Sequence, residues 1–534
     1  MRLRESELKH KEEWLEKGYR LPSFDREKAR LAARTAPVWV HFGCGNIFRA
    51  FPAMILQRLL DAGLAEAGMI VAGGRDSEIL DKIYRPMDNL SLLVTLKSDG
   101  TVEKTVTASI TDSFAMEPGS EDFEQLKKVF AAPSLQIASF TITEKGYNLK
   151  TPDGAYLPEV LADFQSGPAS PASYMGKVAS LLLHRYENGA SPLCMASMDN
   201  CSQNGDRLRE AMTDFARQWA DAGFADSGFE HYLNDPGQVG FPWNMIDKIT
   251  PRPDEKVREM LTADGFEDVD NIITSKKTFA APFVNAEETE YLVIEDLFPN
   301  GRPPLERAGV ILTDRETVEK TERMKVCTCL NPLHTAMALY GCLLGYHKIS
   351  EEMNDADIVN LIKKVGYTEG LPVVTNPGIL DPKEFMDTVV NIRLRNPYMP
   401  DTPQRIATDT SQKLAIRFGV TVSEYRKRFP ERIPELIAIP LVFAGFCRYH
   451  IGLDDQGNPF EVSPDPMREY LVRALEGITL GSQPTHAQLK PLLSNAHIFG
   501  CNLYEAGLGE KVEGLFTELL AGPGAVRSVL RKYL

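Results

Sequence analysis

The feature that most constrains the fold is an alternation of short apolar runs with helical segments, beginning near residue 37. VWVHFG (38–43) is β-rich and ends in glycine, and NIFRAFPAMILQRLLDAG (46–63) follows with helical periodicity and closes on Gly63. GMIVAGG (68–74) and the helix-like SEILDKIY repeat the unit. SLLVTLKSDGTVEKTVTASITDSF (91–114) reads as strands, with Asp99-Gly100 as a hairpin turn. LQIASFTIT (135–143) and PLCMASM (192–198) are further buried-strand candidates, each reached after a helical stretch. Strands that alternate with helices imply a mostly parallel sheet.

After about residue 310 the texture changes. Helical periods dominate in PLHTAMALYGCLLGY, DADIVNLIKKVG, TPQRIATDTSQKLAIRFG and ELIAIPLVFAGFCRYHIG, and only DDQGNPFEV (454–462) suggests a small turn or hairpin. At 534 residues the chain is too long for one core. The architecture expected is an α/β Rossmann-like N-terminal domain over 37–310, then a mostly α-helical C-terminal domain over 311–534. Residues 1–36 stand as an N-terminal extension, and MRLRESELKHKEEWLEKGYR reads as an exposed charged segment without the apolar core of a signal peptide.

The balance of 59 Lys+Arg against 74 Asp+Glu, a net charge of −15, argues against a nucleic-acid partner, because phosphate backbones are held by clustered cations. An anionic substrate would need a local basic pocket in so acidic a chain. No run of about 18 apolar residues exists, so no membrane span is expected. Eight scattered cysteines suit free thiols in a reducing cytoplasm. Cys327-x-Cys329 with His334 lacks zinc-type spacing and a fourth ligand, so no metal is expected there.

Gly43-Cys44-Gly45-Asn46 lies between the first strand and the first helix, where glycines let backbone approach a pyrophosphate at a helix N-terminus. The third glycine of the usual fingerprint is absent, and Ala50 stands near its place. At the second strand end, Asp76 favours NAD, while Arg75 would accommodate the additional phosphate of NADP.

In the stretch from Glu322 to Thr335, Pro332 fits a first helical position with Asn331 as N-cap, so a helix is expected over about 332–346 with His334 in its first turn. A helix N-terminus lowers a histidine's proton affinity. Glu322 and Lys325 are three residues apart, helical neighbours whose ordinary role is a solvated salt bridge. Alcohol oxidation needs a base for the hydroxyl proton and donors for the developing oxyanion; Lys325 suits the first task, and Asn331 and His334 the second.

This segment resembles the lysine–asparagine–histidine signature of the long-chain mannitol dehydrogenase and fructuronate/tagaturonate reductase family, a metal-independent group. GCGNIFRAF, ITEKGY (142–147), MDNCSQNG (198–205), FPWNMIDKITP (241–251), RNPYMPDTPQRIATDTSQKL (395–414) and CRYHIGLDDQGNPFEV (447–462) match further blocks in order, covering roughly 37–470. The resemblance implies that Lys325 is the base, with Asn200, Asn331 and His334 around the reacting oxygen. It implies a proton path through Glu144 and Glu322, and substrate contacts from Arg405 and Lys413, so that the active site is an interdomain cleft. Cofactor contacts fall on Gly43, Gly45, Asn46, Ile47, Arg49, Asp76 and Asp247. One residue more than the family pattern separates Lys325 from Asn331, and a bulge before the helix would absorb it.

The activity implied is hydride transfer between NAD, with NADP not excluded, and C5 of a hexuronate, in the cytoplasm. Arg405 and Lys413, aided by Arg393, favour a sugar acid over a neutral polyol. A tagaturonate- or mannitol-type activity, or a family member that binds nucleotide without catalysis, are the alternatives.

Overall fold

A computed structural model describes residues 1–534. The chain forms two compact units: Met1–Lys97 with Thr101–Glu319, and Ser98–Gly100 with Lys320–Leu534. The second starts later than the 310/311 boundary expected from texture. The cause is that Ile311–Thr313 pairs as a strand with Tyr291–Glu295 of the first unit before the helical region begins.

The first unit is built on six parallel strands: β1 (Trp39–Phe42), β2 (Met69–Gly73), β3 (Ile110–Ala115), β4 (Ile137–Phe140), β5 (Leu193–Ser197) and β6 (Val239–Gly240). Their order across the sheet is β3-β2-β1-β4-β5-β6. Every residue of β1, β2, β4 and β5 is buried, which is why these strands read as continuous apolar runs instead of alternating ones. On one face Val40, Phe42, Ile70 and Phe140 pack with the helices Glu121–Ala131, Tyr174–Glu187 and Asn204–Asp221. On the other, Trp39, Val71, Ile137 and Cys194 pack with Ile55, Leu56 and Leu59.

The helix expected over 46–63 is two helices, α1 (Asn46–Ala50) and α2 (Pro52–Asp61). Phe51 (φ −132°, ψ −70°) leaves the helical region, and Pro52 then restarts the helix at a position where its missing N–H costs nothing. The Asp99-Gly100 hairpin forms as expected, joining Ser91–Leu96 to Val102–Thr107.

The expected exposed extension is instead part of the first unit. Met1, Leu3 and Trp14 are buried, and Tyr19–Arg20 pairs in parallel with Val102–Thr107. Trp14 packs edge-on against Tyr19 and Phe266. The few apolar side chains among the charges are too scattered to read as an element, yet Trp14 and Tyr19 both pack on Phe266, far along the chain.

The second unit is helical. Its central helices are α4 (Asn331–Leu343), which follows α3 (Arg315–Met324), and α5 (Ala438–Tyr449). Leu333, Met337, Leu339 and Leu343 of α4 are fully buried, each contributing about 1.5–3 kcal/mol. The helix packs on α5, with the Tyr340 hydroxyl donating to the Leu441 carbonyl at 2.7 Å. The Glu369 carboxylate accepts from the N–H groups of Ile437, Ala438 and Ile439 and so caps α5. Four wide π turns interrupt the helices of this unit: Lys325–Cys329, Lys364–Gly370, Val389–Arg393 and Ala415–Gly419.

Candidate active site

In the first unit a cleft of about 850 Å³ opens at the C-terminal ends of β1, β2 and β4. That is the strand edge where the order reverses on either side of β1, the crevice in which doubly wound sheets bind nucleotides. Its floor is Gly43-Cys44-Gly45. Gly43 has φ +119°, and a Cβ on it would lie 2.3 Å from the Thr141 carbonyl oxygen, so only glycine fits. Gly45 leads into α1 with nothing within 4 Å of its Cβ position, leaving its backbone open to a ligand.

The cofactor contacts expected from sequence divide here. Gly43, Gly45 and Asp76 line the cleft, whereas Asn46, Ile47 and Arg49 do not. Arg49 is 1% exposed and donates from Nη1 to the Ala281 carbonyl (2.7 Å) and from Nη2 to Asn46 Oδ1 (2.9 Å). Its guanidinium ties α1 to the Ala281 backbone, and burial lowers its pKa. The Asp76 carboxylate accepts from the Thr274 hydroxyl, and Lys276 Nζ donates to the Arg75 carbonyl at 2.6 Å. Sequence reading missed Lys276, which reaches the β2 loop from the turn between Ile272–Ile273 and Phe279–Ala280.

A buried chain of hydrogen bonds underlies the Gly43 turn. Trp39 Nε1 donates to Ser139 Oγ at 2.7 Å, Ser139 Oγ lies 2.6 Å from His41 Nδ1, and His41 Nε2 lies 2.8 Å from Thr141 Oγ1. His41 also stacks on Phe48 at 4.0 Å. Burial pushes its pKa well down, so the ring is neutral. An indole is a donor only, so Ser139 Oγ accepts from Trp39, and the two ring nitrogens of His41 each meet a hydroxyl.

Asp199, which reads as a turn residue, joins the β4 and β5 loops. Its carboxylate accepts from the N–H groups of Ile142 and Thr143 and from the Tyr147 hydroxyl at 2.6 Å. Asn200 lies in the turn just after it. Glu144, expected on a proton path, is exposed and paired with Arg207 at 3.0 Å. Asp247 ends the strand Asn244–Asp247 and is buried.

In the second unit Lys325 is 3% exposed and opens the first π turn, closed by a 3.0 Å bond from Leu330 N–H to the Lys325 carbonyl. A π turn holds one residue more than an α turn, and this one lies between Lys325 and Asn331, where the sequence reading expects a bulge. Asn331 is the first residue of α4, not its N-cap; Leu330 has that place and no side chain caps the helix. The helix ends at Leu343, short of the expected 346. Glu322 lies in α3, three residues before the lysine that opens the π turn.

His334 is half-buried in the first turn of α4. Burial lowers its pKa against the pull of Asp401, and the guanidiniums of Arg393, Arg417 and Arg405 lower it further. It is a neutral ring within a group of cations. Arg405 is ion-paired with Asp401. Lys413 Nζ donates to the carbonyls of Ile406 (3.1 Å) and Thr408, and burial lowers its pKa. Arg417, absent from the sequence expectations, donates from Nη1 to Thr335 Oγ1 at 2.5 Å and to the Asn331 carbonyl at 3.4 Å. The one available signal was its position four residues after Lys413. Cys327 and Cys329 are buried in the π turn, and burial pushes their thiols up to about 11 and about 12.

A nucleotide-type crevice on a parallel sheet, followed by a helical unit that carries a buried lysine before a polar helix start, defines an oxidoreductase of the dehydrogenase class. The comparisons make the class particular. Residues 38–307 match the mannitol dehydrogenase Rossmann domain and residues 317–519 the mannitol dehydrogenase C-terminal domain, and the chain belongs to that family. D-mannonate oxidoreductase of Thermotoga maritima is 50% identical over 536 residues, covering 100% of this chain and 99% of the relative. Pseudomonas fluorescens mannitol 2-dehydrogenase, solved as a ternary complex with NAD and D-mannitol, is 25% identical with a TM-score of 0.67, covering 96% of each chain. A D-sorbitol dehydrogenase solved in substrate-free form shares the fold, with a TM-score of 0.78 at 24% identity over 96% of this chain and 97% of that one. No helix is long and apolar enough to cross a membrane.

Proposed function

We propose that this chain is an NAD-dependent, metal-independent fructuronate reductase, interconverting the keto hexuronate and D-mannonate in the cytoplasm. The observation that carries the reading is the set of charges around His334, three guanidiniums (Arg393, Arg405 and Arg417) against the one carboxylate of Asp401, in a chain of net charge −15. An acidic protein that gathers guanidiniums at the start of one helix is suited to an anionic substrate. The 50% identity to a D-mannonate oxidoreductase supports the same substrate class. The eight free thiols accord with a reducing compartment.

NAD, when bound in the crevice of the first unit, supplies the acceptor or donor of the hydride. Gly43 and Gly45 allow close approach to its pyrophosphate, and Asp76 faces its adenosine ribose. Lys325 accepts the hydroxyl proton during oxidation and returns it during reduction. Asn331 and the neutral His334 donate hydrogen bonds to the reacting oxygen as charge develops on it. Asn200, in the turn after β5, has the substrate-binding role that the family resemblance gives it, and Arg405 and Lys413 hold the sugar.

The test is NADH oxidation against fructuronate, tagaturonate and fructose, repeated with NADPH, for the wild type and Lys325→Ala. Turnover of fructuronate with NADH is expected. Lys325→Ala should lower kcat by roughly a hundredfold or more while leaving NADH affinity within about twofold. Preference for fructose, or full turnover in the variant, would overturn the reading.

A further inference from the structure

The cations near His334 and Arg417 differ in how their charge is balanced. Arg405 has Asp401. Lys413 rests on two backbone carbonyls. Arg417 is partly buried, makes no ion pair, and has only two neutral partners, the Thr335 hydroxyl and the Asn331 carbonyl, both through Nη1. Its Nε and Nη2 donate to nothing in the chain.

A guanidinium withdrawn from water without a counter-charge is costly, since desolvation is not offset by an anion. Burial pulls its pKa down to about 10, which still leaves it charged at neutral pH. The two neutral contacts fix the plane of the group. They come from Asn331 and Thr335, one helical turn apart on α4 with His334 between them in sequence. The free edge, Nε with Nη2, therefore belongs to the same helix start as the groups assigned to the reacting oxygen. That edge presents two parallel N–H donors, the geometry that matches one carboxylate. The π turn Ala415–Gly419 carries Arg417 off the α-helical track begun by Thr410–Leu414.

We propose that Arg417 binds the carboxylate of the sugar-acid substrate through Nε and Nη2, and so selects acids over neutral polyols of the same length. This rests on the reading of the chain as a sugar-acid oxidoreductase. A single ammonium at this position would supply charge without the paired donors.

The experiment compares wild type, Arg417→Gln and Arg417→Lys. Calorimetry on the NAD-loaded protein gives the Kd of D-mannonate and of D-mannitol, NADH fluorescence gives cofactor Kd, and steady-state assays give KM and kcat for fructuronate. Arg417→Gln should weaken D-mannonate binding and raise KM for fructuronate by roughly thirtyfold or more, with D-mannitol and NADH affinities within about twofold. Arg417→Lys should recover only part of the loss. If wild type binds D-mannonate and Arg417→Gln binds it equally well, the assignment of Arg417 is overturned while the sugar-acid reading stands. If wild type itself favours D-mannitol, both fall. If Arg417→Gln weakens NADH or D-mannitol as much as D-mannonate, the residue supports structure and the proposal is overturned.

Discussion

Replacing Gly43 and Gly45 separately by alanine distinguishes what each glycine does for the nucleotide crevice. At Gly43 the φ of +119° is foreign to an L-residue, a strain on the order of 1–3 kcal/mol. The new methyl would also sit 2.3 Å from the Thr141 carbonyl oxygen and 3.1 Å from its hydroxyl. Ordinary contact begins near 3.4 Å, so the turn must retreat from β4 by about 1 Å. A displacement of that size at a positioning group costs roughly a hundredfold. Gly43→Ala should therefore lose stability by about 2–4 kcal/mol and weaken NADH binding by roughly a hundredfold. Gly45 has an ordinary φ of −80° and open space around its Cβ position. Gly45→Ala should fold with wild-type stability, within about 1 kcal/mol, and still bind NADH at least tenfold more weakly, because the methyl occupies the ligand's approach. Thermal unfolding without ligand and NADH fluorescence titration read the two effects apart. Equal stability of Gly43→Ala and wild type would refute the steric argument, and unaltered NADH affinity in Gly45→Ala would refute placement of the pyrophosphate there.

Two further substitutions test the second unit. Glu369→Ala leaves the N–H groups of Ile437, Ala438 and Ile439 without their acceptor, which should cost on the order of 3 kcal/mol and speed their hydrogen exchange by roughly a hundredfold. Unaltered exchange at those amides would show that the cap is dispensable. Glu352 is fully buried with both carboxyl oxygens unpartnered, and burial followed by the nearby Asp355 raises its pKa well above the ordinary 4.5. A carboxyl with a raised folded-state pKa contributes fully below pH 4.5 and loses that contribution as pH rises toward the folded-state value. Glu352→Gln should thus be more stable than wild type at pH 7 by on the order of 1–3 kcal/mol, with the gap closing toward pH 4.5. A gap that does not vary with pH would remove the linkage argument.

What could be read from the residues follows from the range over which each signal acts. The strand–glycine–helix unit at 39–50 is local, so Gly43 and Gly45 were legible, as was the parallel sheet from its fully apolar strands. For Arg49 a sequence shows a basic residue beside a glycine loop but not the Ala281 carbonyl that takes its guanidinium. Lys276 reaches the β2 loop from about two hundred positions downstream, a contact that periodicity does not encode. The N-terminal segment deceived for a similar reason: Trp14 and Tyr19 are isolated among charges, and the ring they share, Phe266, lies far along the chain. Asn331 and His334 were placed within one residue by Pro332, whereas the altered helical register before them was foreseen only as a bulge.

That register has a consequence for how such a protein changes over generations. Lys325, Arg393 and Arg417 each lie in a π turn. A single codon inserted into a helix need not shift everything downstream, because one wide turn absorbs the residue and the flanking turns keep their packing. The side chains within the widened turn are the ones re-aimed. Insertion or loss of one codon at these three places would therefore re-aim a buried ammonium or a guanidinium while the hydrophobic faces of α4 and its neighbours stay in register. The aim of these three cations is thus accessible to one-residue length changes, a kind of variation that most buried helices do not tolerate.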